Sequence, residues 1–195
     1  MTLFIFLLLS YLIGAIPSGV ILTRLFGGED VRKAGSGNIG ATNVYRVAGR
    51  KLGILTLVGD CLKGVIPVLL ATKVFELSVA HIALVALAAF LGHCYPIYLG
   101  FKGGKGVATA LGIFLVLSPL SILCVLGVFV LVLYLWRFIS LASITAAATV
   151  PFLVLFFERS SPLFVATLII ASIVIWRHRD NISRLRSGTE NRFNL

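Results

Sequence analysis

The sequence predicts an all-α integral membrane protein, a bundle of about seven transmembrane helices of which one or more are short, with glycine-rich loops at the cytoplasmic face. Hydrophobic residues make up 59% of the 195 residues and charged residues only 12%, whereas soluble domains contain roughly 45–50% apolar and about 25% charged residues. The apolar residues form long runs, and the basic residues alternate between the loops that join them. A soluble globular domain is excluded, and residues 1–195 are expected to form a single transmembrane domain.

Seven apolar runs account for most of the chain. A membrane-spanning helix needs about 20 such residues, and the bilayer offers no hydrogen-bond partners to an irregular backbone, so each run is predicted to be helical. The runs cover residues 3–23, 52–72, 77–98, 107–117, 120–136, 138–157 and 163–176.

The fourth run, 107–117, has only 11 residues, or roughly 16 Å of helix. The hydrocarbon layer is about 30 Å thick. Either this helix thins the bilayer or the loop before it dips into the membrane. We favour the dipping loop because its sequence is FKGGKG, and a dipping loop is tolerated where it is buried in protein or lines a wet cavity.

The basic residues predict the orientation of the chain. Alternate loops and the C-terminal tail hold 14 of the 17 lysines and arginines, and the basic side of a membrane protein is normally cytoplasmic. The N-terminus is therefore expected outside and the C-terminus in the cytoplasm, with several crossings of the membrane between them. This placement explains the net charge of +10 as topology, so no nucleic-acid partner is expected.

Three of the predicted cytoplasmic segments, 34–46, 92–109 and 177–190, carry most of the unusual polar residues. They supply glycines, hydroxyls, amides, Arg, Lys and His with few carboxylates, a mixture that suits an anion. Glycines allow backbone N–H groups to approach phosphate oxygens, and a helix N-terminus adds its positive dipole. Gly103, Gly104 and Gly106 surround Lys105 just before a predicted helix, which indicates a phosphate-binding loop.

Two familiar nucleotide motifs do not apply. Residues 35–40 match GxGxxG, but the dinucleotide site requires a preceding strand within a βαβ unit, and here a polar loop precedes the glycines. The GK pair at 104–105 lacks the first glycine and the Ser/Thr of a Walker A loop, because Leu99 and Gly106 occupy those positions. The carboxylates are scattered and the histidines far apart, so neither a metal nor a cofactor is expected.

Several ionisable residues allow two interpretations. Asp60 and Lys63 lie one turn apart in the second span, and they either neutralise each other while packing helices or order the site from behind. His93 either orders the glycine loop or has no such role. His81 is expected to bond a neighbouring helix from the middle of a span. His178 and Asn181 should point to one face because they are three residues apart.

The three polar segments resemble the signature segments of the bacterial acyl-phosphate:glycerol-3-phosphate acyltransferases, the PlsY family, and the resemblance extends from end to end of the chain. The matching stretches are SGNIGATN at 36–43 with Arg46, GH at 92–93 through Pro96 to FKGGKGVAT at 101–109, and His178 with NI at 181–182 and GTE at 188–190.

Membership of that family would imply transfer of a fatty acyl group from acyl phosphate to the sn-1 hydroxyl of glycerol-3-phosphate, which starts phospholipid synthesis. The implied partners are the two substrates, membrane lipid and, transiently, the enzyme that forms acyl phosphate. The implied catalytic residues are Ser36, Arg46, Lys105, His178 and Asn181. The implied substrate- and phosphate-binding residues are Gly37, Asn38, Thr42, Asn43, Lys102, Gly103, Gly104, Gly106 and Glu190.

The residues themselves also favour acyl phosphate as donor. Related enzymes that use acyl-CoA or acyl carrier protein typically carry an H-x4-D pair, but Ala86, Tyr98 and Ser183 occupy that position after the three histidines. A serine nucleophile at Ser36 with His178 as base is the alternative to direct transfer. A transporter or channel for a phosphate-bearing solute is the rival class, but the sequence has no internal repeat and its polar groups cluster at one face. A purely structural membrane protein would not need the glycine-lysine loop.

Overall fold

The computed structural model describes residues 2–26 and 28–193, and over these ranges the chain contains α-helices and turns but no strand. The all-α prediction is therefore confirmed for the described residues. The α-helices are α1 (Thr2–Ala15), α2 (Ser18–Leu25), α3 (Ala41–Leu69), α4 (Val79–Cys94), α5 (Val107–Leu117), α6 (Pro119–Trp136), α7 (Ile139–Glu158), α8 (Ser161–Arg177) and α9 (Arg179–Arg186).

The lengths of the described helices are compatible with four to six membrane spans and one short apolar helix, α5. Four described helical segments are long and apolar enough to cross a bilayer, and six are if each of two bent pairs counts as one span. The first predicted run is such a pair, because α1 and α2 meet at 44° where Pro17 removes a backbone N–H and restricts Ile16. Helix α5 has the 11 residues that the sequence predicted.

The chain groups into two compact units, which divide between Val116 and Leu117. In the first unit, helices approach closely wherever a glycine faces a neighbouring backbone. A methyl group on Gly14 of α1 would overlap the carbonyl of Ala89 in α4, and one on Gly112 of α5 would overlap the carbonyl of Cys61 in α3. Such small-residue contacts are the usual means of packing helices in lipid, where no hydrophobic force drives association.

Helix α3 contains the break that matters most for the site. Gly49 has φ +87° and ψ 172°, and the chain folds back there so that Gly53 lies against the backbone of Tyr45. The residues before the break, 41–48, therefore form a separate short helix at the start of α3. A left-handed φ of this kind favours glycine.

In the second unit, α6 packs on α7 and α7 on α8, while α9 touches both α7 and α8. The buried hydroxyls of Ser118 and Ser121 lie 2.6 Å apart, and Ser118 donates to the Glu158 carboxylate at 2.7 Å. These bonds close one end of the α6–α7 pair.

The expectation for His81 was wrong. It lies in the first turn of α4 rather than at mid-span, its side chain is exposed, and its backbone N–H is 3.4 Å from the capping Ser78 hydroxyl.

Candidate active site

The loop between α2 and α3 is anchored by apolar side chains. Val31 and Ile39 of the loop are buried against Val20 of α2 and Val44 of α3. We call these four residues the valine cluster. A methyl group on Gly19 of α2 would overlap the Ile39 carbonyl, so the loop backbone also lies directly on a helix. The polar loop is thus a fixed part of the fold.

Asn43 holds the inside of this loop together. Its side-chain N–H groups donate to the carbonyl oxygens of Val31 at 2.9 Å, Ala34 at 3.1 Å and Asn38 at 2.8 Å. Its side-chain oxygen accepts the N–H of Ser36 at 2.8 Å, and the residue is only 2% exposed. The sequence proposed Asn43 for substrate binding, but its buried amide is engaged by the loop backbone.

Ser36 is exposed at the tip of the loop that Asn43 braces. The glycines on either side have left-handed backbones, with φ +60° at Gly35 and +68° at Gly37, and this conformation costs other residues energy. The side-chain oxygen of Asn38 accepts the N–H of Gly40 at 2.9 Å. Asn38 therefore shapes the loop, while Ser36 and Gly37 face outward.

Thr42 and Arg46 stand one helical turn apart at the start of α3, so they lie on the same face of that helix. Thr42 is half-buried and Arg46 is exposed. Nearby in sequence, the Arg32 guanidinium donates to the Asp30 carboxylate at 2.8 Å and holds the pKa of that carboxyl well below its usual range.

The glycines around Lys105 lie against the end of α4. A methyl group on Gly103 would overlap the His93 carbonyl, one on Gly104 would overlap the His93 ring, and one on Gly106 would overlap the Phe90 ring. The Gly104 N–H also donates to the His93 carbonyl at 3.2 Å. Close packing by itself therefore requires these glycines, which the sequence analysis had explained by phosphate binding. Lys105 is half-buried and Lys102 is exposed.

Two of the three predicted site segments share an anchor in the first unit. Leu99 lies in the turn between α4 and the glycine loop, and it packs on the valine cluster that fixes the Ser36 loop. Segments 34–46 and 92–109 are thus built on one apolar support.

Asp60, Lys63 and His93 form a cluster of buried ionisable side chains inside the first unit. The Lys63 ammonium lies 2.9 Å from the Asp60 carboxylate and donates to the Ile16 carbonyl at 2.8 Å. The His93 Nδ1 lies 3.9 Å from the same carboxylate. Asp60 and Lys63 therefore form an ion pair, as the first interpretation held. The Asp60 carboxylate also lies near His93, on which the glycine loop packs.

In the second unit, His178 and Asn181 are buried on one face of the α8–α9 corner, while Arg179 and Asp180 between them are exposed. This confirms the expected common orientation. The His178 Nδ1 lies 2.7 Å from the Val174 carbonyl. Because a carbonyl only accepts, Nδ1 carries a proton in this contact.

Glu190 is tied to Asn181 in this second unit. Its carboxylate accepts from the Ser140 hydroxyl, the Asn181 amide and the Arg184 guanidinium, each at 2.7 Å. Burial raises the pKa of Glu190, but the three hydrogen bonds and the Arg184 charge together hold that pKa below its ordinary value. These contacts give Glu190 the task of orienting Asn181. Ser140 was not predicted, because it is one of several small hydroxyl residues in the apolar run 138–157 and nothing distinguishes it there.

Comparison with known proteins agrees with the resemblance seen in the sequence. A family model described as glycerol-3-phosphate acyltransferase matches residues 4–188. The chain is 63% identical to the glycerol-3-phosphate acyltransferase of Syntrophotalea carbinolica over 97% of both chains. It is 58% identical to that of Geotalea daltonii over 94% of both chains.

Two solved structures are also similar over the whole of this chain and 96% of theirs, with 40% sequence identity. They are crystal structures of PlsY (YgiH), an integral membrane glycerol 3-phosphate acyltransferase, in its glycerol 3-phosphate form (TM-score 0.95) and its lysophosphatidic acid form (TM-score 0.92). The predicted membrane fold and family are thereby confirmed. This chain belongs to the glycerol-3-phosphate acyltransferase family and is an integral membrane acyltransferase of phospholipid biosynthesis.

Proposed function

We propose that this enzyme transfers a fatty acyl group from acyl phosphate to the sn-1 hydroxyl of glycerol-3-phosphate and releases 1-acyl-glycerol-3-phosphate and phosphate. The observation that carries the proposal is the shared support of the Ser36 loop and the glycine loop on the valine cluster. The two loops offer hydroxyl, guanidinium and ammonium groups and exposed backbone, which suit substrates that both carry phosphate. The glycerol 3-phosphate form of the similar solved enzyme supports the choice of acceptor.

The chemistry of acyl phosphate requires little from the protein beyond positioning. The donor is a mixed anhydride, so its phosphate is already a good leaving group. The glycerol hydroxyl oxygen attacks the acyl carbon, the bond from that carbon to the phosphate oxygen breaks, and the departing phosphate keeps the electron pair. A substrate phosphate oxygen takes the hydroxyl proton. The enzyme holds two anions together against their repulsion and aims the hydroxyl.

We assign roles according to where each side chain lies. Arg46 and Lys105 bind phosphate charge, Ser36 and Thr42 donate hydroxyl hydrogen bonds, and Gly37 contributes exposed backbone, whereas Gly104 holds the glycine loop on His93. Lys102 adds positive potential, while Asn38 and Asn43 hold the Ser36 loop. In the second unit, His178 and Asn181 contact substrate and Glu190 fixes Asn181. Membrane lipid and a transiently bound acyl-phosphate-forming enzyme complete the proposed partners.

The donor assay tests this proposal. Purified enzyme receives radiolabelled glycerol-3-phosphate with either acyl phosphate or acyl-CoA of the same chain length. We expect lysophosphatidic acid from acyl phosphate and negligible product from acyl-CoA. Robust acylation from acyl-CoA would overturn the choice of donor, and heat-denatured enzyme serves as the control for background acylation.

In the proposed orientation the protein lies in a bacterial inner membrane with its N-terminus outside. The C-terminus and the loops at 28–40 and 102–106 are then on the cytoplasmic side. This orientation is tested with single cysteines in a background without Cys61, Cys94 and Cys124. Lys33→Cys should be shielded from an impermeant thiol reagent in intact cells, and Ser161→Cys should be labelled. Both replaced residues are exposed, so the opposite pattern would reverse the orientation.

A further inference from the structure

The cluster of Asp60, Lys63 and His93 has no role in the proposed chemistry, yet its side chains are only 2–4% exposed and include an ion pair in a membrane-spanning helix. Burying ionised groups is costly even when they are paired, and such residues in spans are generally functional. Apolar side chains would pack helices at lower cost. The cluster therefore calls for a specific task.

The cluster joins three separate pieces of backbone in the first unit. Asp60 and Lys63 belong to α3, and the Lys63 ammonium reaches the Ile16 carbonyl at the break between α1 and α2, 2.8 Å away. His93 belongs to the last turn of α4, and its Nδ1 lies 3.9 Å from the Asp60 carboxylate. The position of the imidazole is thus linked to both other pieces.

His93 contacts the glycine loop in two ways. Its carbonyl accepts the Gly104 N–H at 3.2 Å. Its ring edge at Nε2 occupies the space where a Gly104 side chain would start. The ring therefore lies between the Asp60 carboxylate, 3.9 Å from Nδ1, and the backbone of Gly104, against which its Nε2 edge packs. Lys105 is the next residue after Gly104.

We propose that Asp60 and His93 are positioning residues that hold the backbone of Gly104, and through it the Lys105 ammonium, at the place where substrate phosphate binds. Lys63 neutralises Asp60 and ties it to the break in the first span. This inference rests on the proposed phosphate-binding role of Lys105. A cluster that only packs the helices is the alternative, and kinetics distinguish the two.

The test compares the KM values of both substrates in three variants. Lys105→Ala first identifies the substrate whose KM depends on the ammonium. His93→Ala should then raise the KM of that same substrate and lower kcat/KM by at least about tenfold but by no more than Lys105→Ala does, since a misplacement of about 1 Å can cost about a hundredfold. In the double variant, His93→Ala should cost little more than Lys105→Ala alone. His81→Ala, an exposed histidine of the same helix, is the matched control and should behave as wild type.

Two results would contradict the inference in different ways. If His93→Ala lowers kcat alone, leaves both KM values unchanged and multiplies with Lys105→Ala, the cluster is merely structural while the proposed function stands. If Lys105→Ala itself has normal kinetics, the proposed role of Lys105 fails, and the inference fails with it.

A second pair of variants keeps the test open if His93→Ala does not fold. Gly104→Ala leaves the cluster intact and pushes the loop away from the ring, so it should raise the same KM as Lys105→Ala. His93→Asn retains an amide beside Asp60 but removes the Nε2 side of the ring. Gly104→Ala should therefore cost less in the His93→Asn background than in wild type, and an equal cost in both would contradict the contact on which the inference depends.

Discussion

The Ser36 loop and the glycine loop rest on the same valine cluster but are held in opposite ways. One side chain braces the Ser36 loop, because the Asn43 amide bonds three carbonyls and one N–H of the surrounding backbone. Close packing of the backbone on α4 holds the glycine loop. This packing is possible because Gly103, Gly104 and Gly106 have no side chains. The Ser36 loop should therefore lose its conformation when a hydrogen-bonding group of Asn43 is removed or a donor is replaced with an acceptor. The glycine loop should lose its conformation when side-chain atoms are added to its glycines.

The largest effect is expected from inverting the polarity of the brace in the Ser36 loop. Asn43→Asp keeps the shape of the side chain. It replaces the amide nitrogen that donates to three carbonyls with a carboxylate oxygen, which cannot donate. Each buried polar group left without its partner costs about 1–3 kcal/mol, and about 1.4 kcal/mol corresponds to a tenfold change. We expect acyl transfer to fall by at least about a hundredfold, measured by initial rates at saturating substrates.

The neighbouring Asn38→Asp is the matched control for Asn43→Asp. The Asn38 side chain uses its oxygen to accept the Gly40 N–H, and Asp supplies the same acceptor. Activity near that of wild type is expected for this control. Equal losses in the two variants would mean that negative charge in the loop, rather than the loss of the Asn43 donors, causes the defect.

The next effect concerns the fit of the lysine in the glycine loop. If Lys105 is a compact charge in a tightly packed loop, Lys105→Arg should fail nearly as badly as Lys105→Ala, because the planar fork is bulkier and binds with different geometry. Hydrogen bonds to charged groups contribute about 1.5–3 kcal/mol, so both variants should lose roughly tenfold to a hundredfold in kcat/KM. Near-normal turnover by the arginine variant would show that Lys105 supplies only diffuse positive potential.

A smaller effect is expected from adding one methyl group to the glycine loop. Gly103→Ala would overlap the His93 carbonyl and the Pro96 ring, whereas Gly100→Ala has open space around it and only the strain of φ +58°. Overpacking costs typically 1–3 kcal/mol, and we expect about a tenfold loss of activity for Gly103→Ala. Gly100→Ala should retain most activity, and its strain should appear as a lower melting temperature in detergent. Equal activities would contradict the account of the packed loop.

The helices were largely predictable from sequence because membrane spans follow from local composition. Helix α5 begins and ends where the apolar run does, and α8 extends the run 163–176 by only a few residues. The break at Gly49 was not predicted, since a glycine in a polar segment is equally compatible with a loop. The bend at Pro17 between α1 and α2 was not predicted either, because residues 3–23 form one apolar run in the sequence and the angle depends on packing.

The candidate site was predictable in its members but not in their tasks. Motif residues identified Asn43 and Glu190, yet sequence alone cannot show that an amide faces backbone or that a carboxylate faces Ser140, Asn181 and Arg184. The glycines beside Lys105 are likewise explained by contacts with Phe90 and His93. These contacts join residues far apart in the chain, so no local pattern encodes them.

The most direct test of the account is whether the acyl group passes straight from acyl phosphate to glycerol-3-phosphate. Enzyme is mixed with acyl phosphate alone, quenched rapidly, and assayed for released phosphate and for the mass of the peptide that contains Ser36. We predict no burst of phosphate, no acyl group on Ser36, and about one-tenth to one-hundredth of normal turnover for Ser36→Ala, in line with the loss of one hydrogen bond to a charged group. Stoichiometric acyl-Ser36 that forms and decays as fast as turnover would contradict direct transfer and establish Ser36 as the nucleophile.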